Sequence, residues 1–523
     1  MDVGAKYDVW LKLTRQNPQI VGVVGRAYTI LWPEVGEALF SPVYIERRNH
    51  AFRPTANPQA ESLAALCNFW RSRTIARMPE GKSLPGQSQR EENQLVRGIG
   101  VPGLTANIVN ATVGAGIFAL PAAVASQMGS ASPLSYLICA AAMCLFVTSF
   151  AMAGSRVSLT GGLYAYVEVA FGRYPGFIAG VLYFLTAILA VSGIVDLIAS
   201  SVAGLIPALG TPIGRSIIIF ALLALLVAIN IRGVGVGARA VEAVTLIKLA
   251  PLLLFVVAGL FFLRADAFSW QGWPPGERVG RSVLQLLFAF VGVEVALVPS
   301  GEVKNPSRTV PRAIFGALAI TTLLYLGIQL VAQGLLGNNL AAAGDVALGE
   351  AAARIIGNAG RTVMLLALAV SAFGWVASDI LSSPRIIFAF GRDGFLPRWF
   401  AHVHSRFRTP VVALITYAAA AFALSYSSSF QKLAVLSNIA VLSLYILCCA
   451  AALVLQHRNV QGDGPPFTFR GSWLVPILAI VASVWILAHS TQREFVLILW
   501  TLVIASTLYF VRSFVGAANR RGS

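Results

Sequence analysis

From about residue 103 to residue 513 the sequence is a succession of apolar stretches, each close to the ~20 residues a helix needs to cross a ~30 Å hydrocarbon core. Lipid offers backbone amides and carbonyls no partner, so stretches of this length must bond their own backbone as helices. Twelve are predicted: residues 103–127, 132–155, 175–201, 214–231, 238–263, 281–300, 309–337, 358–383, 410–427, 432–456, 472–490 and 494–513. With 57% hydrophobic residues, 12% charged residues and a mean hydropathy of +0.74, a string of soluble domains is excluded. The expectation is an all-α polytopic membrane protein with twelve transmembrane helices.

A net charge of +17 would suggest nucleic acid in a soluble protein, but here the placement of the charge decides its meaning. With both termini cytoplasmic, about 30 of the 39 Lys and Arg residues fall on the cytoplasmic side and about 8 outside. Arg232, Arg239, Lys304, Arg308, Arg312, Arg385, Arg392, Arg398, Arg406 and Arg408 belong to that cytoplasmic set, mostly in short loops, where charge bias sets orientation. The five cysteines and five histidines have no metal-ligand spacing, and no cofactor or nucleic-acid partner is expected.

Residues 1–98 are of mixed polarity with seven prolines and no run long enough to span a bilayer, and read as a basic, largely disordered cytoplasmic tail. Residues 516–523 form a short cytoplasmic tail at the other end. Met78 opens a polar leader that runs directly into the first apolar segment, which predicts Met78 as the physiological start. Peptides containing Met1 in a mass spectrum of the native protein would exclude that start.

Two apolar segments carry small residues at matching places: Gly114-Ala115-Gly116 in the first and Gly292-Val293-Glu294 in the sixth, with 178 positions between the leading glycines. A membrane helix broken at depth is tolerated only where the freed backbone lines a polar cavity, and paired breaks in two halves point to the binding site of a secondary transporter. Segments one to five (103–263) and six to ten (281–456) then form two repeats, and an odd number of spans per repeat inverts the second. Segments eleven and twelve (472–513) are an added pair. Ser158–Arg173 reads as an interfacial helix, and Asn338–Asn358 as an amphipathic lid.

At Gly114, Ala115, Gly116 and Ile117 the unwound amides suit a substrate carboxylate, helped by the positive end of the half-helix that follows. Close helix packing through small residues is the competing reading. Lys248 is the one basic residue deep inside a segment, so it needs a partner or a purpose; snorkelling to the interface is its alternative. Three acids also fall inside segments. Asp196 suits a cationic substrate or sits near the surface, Glu294 bonds exposed backbone or couples protons, and Asp379 is a candidate counter-ion for Lys248.

The run Phe288-Ala289-Phe290-Val291-Gly292-Val293-Glu294, the exit Gly301-Glu302-Val303-Lys304-Asn305-Pro306 to Pro311-Arg312, and Gly114-Ala115-Gly116-Ile117-Phe118 together resemble the amino acid-polyamine-organocation superfamily. The Gly161-Gly162-Leu163-Tyr164-Ala165-Tyr166 stretch and the Pro384-Arg385 to Arg392-Asp393-Gly394 run are similar to it as well. The resemblance implies a leucine-transporter-like five-plus-five inverted repeat with two further helices, a permease domain over residues 99–515. It implies that backbone amides at Gly114–Gly116 hold a carboxylate, while carbonyls around Phe288, Ala289 and Val291, beside Gly292, receive an ammonium. Phe288 would be an aromatic lid or an ordinary core residue, and Trp375 a second gating aromatic or a packing tryptophan. Ala115 stands where some relatives have a hydroxyl. Lys248 resembles a lysine that replaces a sodium ion, with Glu294 and Asp379 as further coupling candidates.

These features predict a secondary active transporter of amino acids in the bacterial inner or plasma membrane, sodium-independent and driven by proton symport or exchange. A polyamine or amino acid/amine antiporter and a non-transporting nutrient sensor on the same fold are the alternatives. The expected partners are a small amino acid or amine, protons and the bilayer, and no enzymatic site is expected.

Overall fold

The computed structural model describes residues 100–157, 163–231, 238–269, 272–294, 303–304, 306–392, 395–404, 409–460 and 465–519. Among these the chain is helical, with no β-sheet. The tail over 1–98 with its Met78 start, Gly161-Gly162, Gly301-Glu302, Asn305, Asp393-Gly394 and residues 520–523 lie outside the described residues.

Helices cover the predicted segments. The first holds two, α1 (Val101–Thr112) and α2 (Gly116–Met128). Then come α3 (Ser132–Gly154), a short α4 (Leu163–Phe171) where an interfacial helix is expected, α5 (Arg173–Leu205), α6 (Pro212–Ile231) and α7 (Ala238–Gly259). Of the sixth segment, α8 (Gly276–Phe290) is followed by a non-α turn at Val291–Glu294, and residues 295–300 lie outside the described residues. Beyond it run α9 (Pro306–Leu336), α10 (Ala347–Ser382), α11 (Pro384–Arg392), α12 (Val411–Ser427), α13 (Phe430–His457), α14 (Leu474–Leu487) and α15 (Gln492–Asn519).

Between α9 and α10 the chain makes a 3-10 stretch, Gly337–Val346. α10 then bends at Ile356-Gly357, where Gly357 takes φ +64°, a conformation that residues with a Cβ seldom adopt. The bend separates a short arm, which with the 3-10 stretch covers the predicted lid, from the rest of the helix.

Six helical stretches among the described residues are long and apolar enough to cross a membrane, and three shorter apolar helices accompany them. Two of the six, Gly116–Gly154 and Arg308–Arg392, run through tight connections and contain more than one helix. The chain is a multi-pass membrane protein. Its apolar surface agrees: Ile213, Phe261, Leu323 and Trp500 stand exposed, as only lipid-facing residues do in such number.

In lipid an apolar side chain gains little by leaving its solvent, so close packing and interhelical hydrogen bonds hold the bundle together. α5 and α13 form its centre, packed on each other, with α10 also against α5 and α3 against α13. In its most apolar window α5 is 72% buried, against 11% for α15, which identifies α15 as peripheral. Buried Asp196 on α5 joins three elements: it accepts from Arg215 Nη2 of α6 at 2.5 Å and from the Phe430 amide at the start of α13 at 3.0 Å. On α15, Glu494 accepts both Arg281 guanidinium nitrogens of α8 at 2.7 Å and also the Thr491 amide at 2.8 Å, so one carboxylate caps its own helix and ties it to α8.

Asp345, in the 3-10 stretch, has its carboxyl pushed above the ordinary carboxylate range by burial and by the neighbouring Asp196, an effect that Arg215 and a hydrogen bond from Gln431 only partly offset. The folded state therefore holds this proton more tightly than the unfolded state, and stability falls as pH rises from the ordinary carboxylate range through the raised value. Asp345→Asn is expected to raise the Tm of the detergent-solubilised protein at neutral pH and to flatten its decline with pH, read by thermal denaturation between pH 4 and pH 8.

Candidate substrate site at two abutting helix breaks

The break in the first segment follows from its glycines. α1 closes with Val113 N–H donating to Val109 O at 2.8 Å, and Val113 then turns to ψ 84°. Gly114 N–H bonds Thr112 O at 2.8 Å instead of reaching back to Asn110 O. α2 restarts with Phe118 N–H on Ala115 O at 3.1 Å, and the amides of Ala115, Gly116 and Ile117 have no backbone acceptor among the described residues. Three adjacent N–H groups at the positive end of a half-helix suit an anion.

The second break mirrors the first. Val291 N–H donates to Leu287 O at 3.1 Å and Val291 then becomes extended, at ψ 138°. Gly292 takes φ +115°, and its N–H turns to Glu294 Oε2 at 3.0 Å. The Phe288 carbonyl thereby loses the amide that a continuous helix would supply. Buried Tyr445 of α13 donates to the same Glu294 oxygen at 3.0 Å, so Glu294 serves as an internal cap on the broken helix.

The two breaks touch. A Cβ on Gly292 would come within 2.8 Å of Ala111 O and 3.3 Å of Thr112 Cα, so only glycine allows this approach. Both aromatic candidates sit on the glycines of the first break. Phe288 Cδ1 lies 2.9 Å from where a Cβ on Gly116 would stand, and Trp375 Cδ1 lies 3.8 Å from the equivalent point on Gly114. Phe288 also meets Phe430 edge to face, with ring centroids 5.5 Å apart. Gly114, Ala115, Gly116, Ile117, Phe288, Ala289, Val291, Gly292 and Trp375 are thus gathered at one place, which joins an anion-seeking set of amides to freed carbonyls.

The charged candidates divide. Lys248 on α7 is buried, and its Nζ donates to Asn110 O, the carbonyl that Gly114 leaves free. That ties α7 to the first break and removes the snorkelling alternative. Asp379, expected as its counter-ion, makes no ion pair with Lys248: its two oxygens accept from Ser383 Oγ at 2.7 Å and Tyr417 Oη at 2.6 Å. Hydroxyl donors satisfy the acid from the C-cap of α10 and from α12, leaving the lysine bonded to backbone. Asp196 is likewise engaged, by Arg215 and the Phe430 amide.

Tyr325, Tyr417 and Tyr445 were not foreseen as members of this arrangement. Tyr325 on α9 is buried, and its hydroxyl lies 2.8 Å from Ala289 O and 3.1 Å from Thr112 O, one carbonyl from each break. The sequence does carry a signal for it, because Tyr325, Gln329 and Gln333 recur every four residues along an otherwise apolar segment. Tyr417 and Tyr445 stand alone in apolar runs and carry none. Gly292→Ala would force a Cβ against Ala111 O from a left-handed backbone, at a cost of about 1–3 kcal/mol for the conformation alone. Ligand-induced thermal stabilisation is expected to vanish in that variant and to persist in the helix-surface variant Ile477→Ala.

Residues 99–513 match the family described as amino acid permease. The chain is 28% identical over 406 residues to the serine/threonine exchanger SteT of Bacillus subtilis (strain 168), an alignment covering 76% of this chain and 92% of that protein. It is 27% identical over 449 residues to the methylthioribose transporter of the same organism, covering 82% and 95%, and 26% identical over 446 residues to its branched-chain amino acid permease BcaP, covering 81% and 94%. The names of these relatives describe carriers rather than enzymes. The matched region takes in both helix breaks, Lys248 and Trp375, and on that extent the chain belongs to the amino acid permease family of the amino acid-polyamine-organocation superfamily.

Proposed function

We propose that this protein is a secondary active transporter of amino acids, with twelve spans in a five-plus-five inverted repeat and an added pair, working by alternating access. The observation that carries this reading is the abutment of the two breaks. Unclaimed amides at Ala115–Ile117 complement a carboxylate, and the Phe288 carbonyl, which the Gly292 amide would have occupied in a helix, complements an ammonium, with Val291 beside it. A zwitterion α to its side chain bridges two such groups, with Phe288 and Trp375 as the aromatic walls that close over it.

Sodium independence is supported by Lys248, whose ammonium occupies a freed carbonyl of the kind a sodium ion would coordinate. Proton symport and exchange both follow from a site without sodium, and the similarity to a serine/threonine exchanger favours exchange. Amine antiport remains the second transport reading, and a sensor that binds without accumulation is the reading outside transport. The Lys and Arg bias supports both termini in the cytoplasm and a bacterial inner or plasma membrane.

The test is uptake of labelled amino acids into proteoliposomes in sodium-free buffer. Accumulation driven by an inward proton gradient marks a symporter, and uptake only into vesicles preloaded with amino acid or amine marks an exchanger. Binding without either marks a sensor. Lys248→Ala is expected to cut uptake at least tenfold or to abolish its pH dependence while the protein still elutes as a single species; unchanged pH-dependent uptake would remove Lys248 from the coupling step.

A further inference from the structure

Within that reading of the site, we infer that Asp196 is a positioning residue for its aromatic wall: it fixes the start of α13 so that the Phe430 ring backs Phe288 where Phe288 closes over a bound substrate. α13 opens without a cap of its own, since Ser429, the residue before it, makes no side-chain capping bond. The first amides of a helix have no carbonyl within the helix to reach. The first of these, the amide of Phe430, donates instead to Asp196 Oδ2 on α5 at 3.0 Å. The acid is buried, and its other oxygen accepts from Arg215 Nη2 of α6 at 2.5 Å, so the carboxylate is itself held while it holds the helix end.

The same face of α5 supplies the room. Gly193 lies three residues before Asp196, and a Cβ there would stand 3.4 Å from both Phe430 Cδ2 and Phe430 O and 3.3 Å from Leu433 Cβ. Gly193 therefore sets how closely α13 approaches α5, and Asp196 sets where along α5 it begins. The Phe430 ring that results is completely buried and meets the Phe288 ring edge to face, with centroids 5.5 Å apart. Phe288 in turn lies on Gly116, its Cδ1 2.9 Å from where a Cβ on that glycine would stand. Contacts thus run from Asp196 on α5 through Phe430 on α13 and Phe288 on α8 to the first break at Gly116. Without the acid the Phe430 amide loses its partner, the first turn of α13 is free to shift, and Phe288 loses the ring behind it.

The experiment measures uptake kinetics of labelled L-serine and L-leucine in proteoliposomes for the wild type, Asp196→Leu, Asp196→Asn, Phe430→Ala and the double variant Asp196→Leu/Phe430→Ala. Asp196→Leu keeps the volume and removes both acceptors; the Arg215 side chain, 36% exposed, can then turn to water. It is expected to raise KM about fivefold with Vmax within about twofold, a loss of closure over bound substrate rather than of turnover. Asp196→Asn keeps a carbonyl oxygen for the Phe430 amide and is expected to hold KM within about twofold of wild type. Phe430→Ala is expected to raise KM about tenfold, and the double variant to match it, because an acid that acts through the ring has nothing to add once the ring is gone. An unaltered KM in Asp196→Leu or in Phe430→Ala, beside wild-type uptake, would overturn the inference alone. So would a multiplied KM of about fiftyfold in the double variant, or an Asp196→Asn as impaired as Asp196→Leu. Failure of Asp196→Leu to elute as a single species would overturn it as well, since the acid would then serve the fold. No uptake by the wild type, into empty or preloaded vesicles, would overturn the transport reading and this inference with it.

Discussion

Everything at the centre of this molecule depends on what becomes of the backbone groups that two broken helices set free. Inside a bilayer an unmatched amide or carbonyl costs several kcal/mol, about as much as a small domain can spare. The structure gives several of those freed groups side-chain partners: from other helices Lys248 on Asn110 O and Tyr325 on Thr112 O and Ala289 O, and from the broken segment itself Glu294 on the Gly292 amide. The amides of Ala115–Ile117 and the Phe288 carbonyl keep no such backbone partner among the described residues, and it is these groups that we propose for the substrate. A site defined by what its own fold leaves unbonded needs no charged side chain to recognise a zwitterion.

That arrangement explains why the buried charges are not where a pairwise reading of the sequence would put them. Lys248 and Asp379 are complementary in sign, yet each meets neutral dipoles: a carbonyl for the lysine, two hydroxyls for the acid. Asp196 and Arg215 do pair, and there the acid also accepts from the first amide of α13, that of Phe430, whose ring rests on Phe288. The contact links the α5–α6 region to the aromatic wall of the site. The Arg281–Glu494 pair does the same for the peripheral α15 and the half-helix α8. Movement of either half-helix therefore engages elements remote from the two breaks.

Much of this was legible in the chain. Apolar length located the helices, because lipid imposes a single solution on backbone hydrogen bonding. Gly114, Gly116 and Gly292 marked the breaks, because glycine is costly in a helix and a purpose elsewhere must offset it. The bend at Gly357 was legible only as the boundary of a lid, since the φ that makes it a bend is a property of the folded chain. Tyr325 was half legible: its four-residue spacing with Gln329 and Gln333 shows a polar stripe but not what the stripe faces. Tyr417 and Tyr445 were not, since a tyrosine amid leucines and alanines reads the same whether its hydroxyl meets water, a headgroup or a buried carboxylate.

By itself the sequence determined that this is a helical membrane protein of the amino acid permease family with two helix breaks, since hydropathy, glycine placement and a contiguous motif are local properties of the chain. Only the tertiary structure decided that the breaks abut, that Phe288 and Trp375 lie on their glycines, and that Lys248 faces Asn110 rather than Asp379. Those are contacts between residues about 140 to 260 positions apart. Such contacts are set by how whole helices pack, and the rotation of one helix against another is written in no single segment.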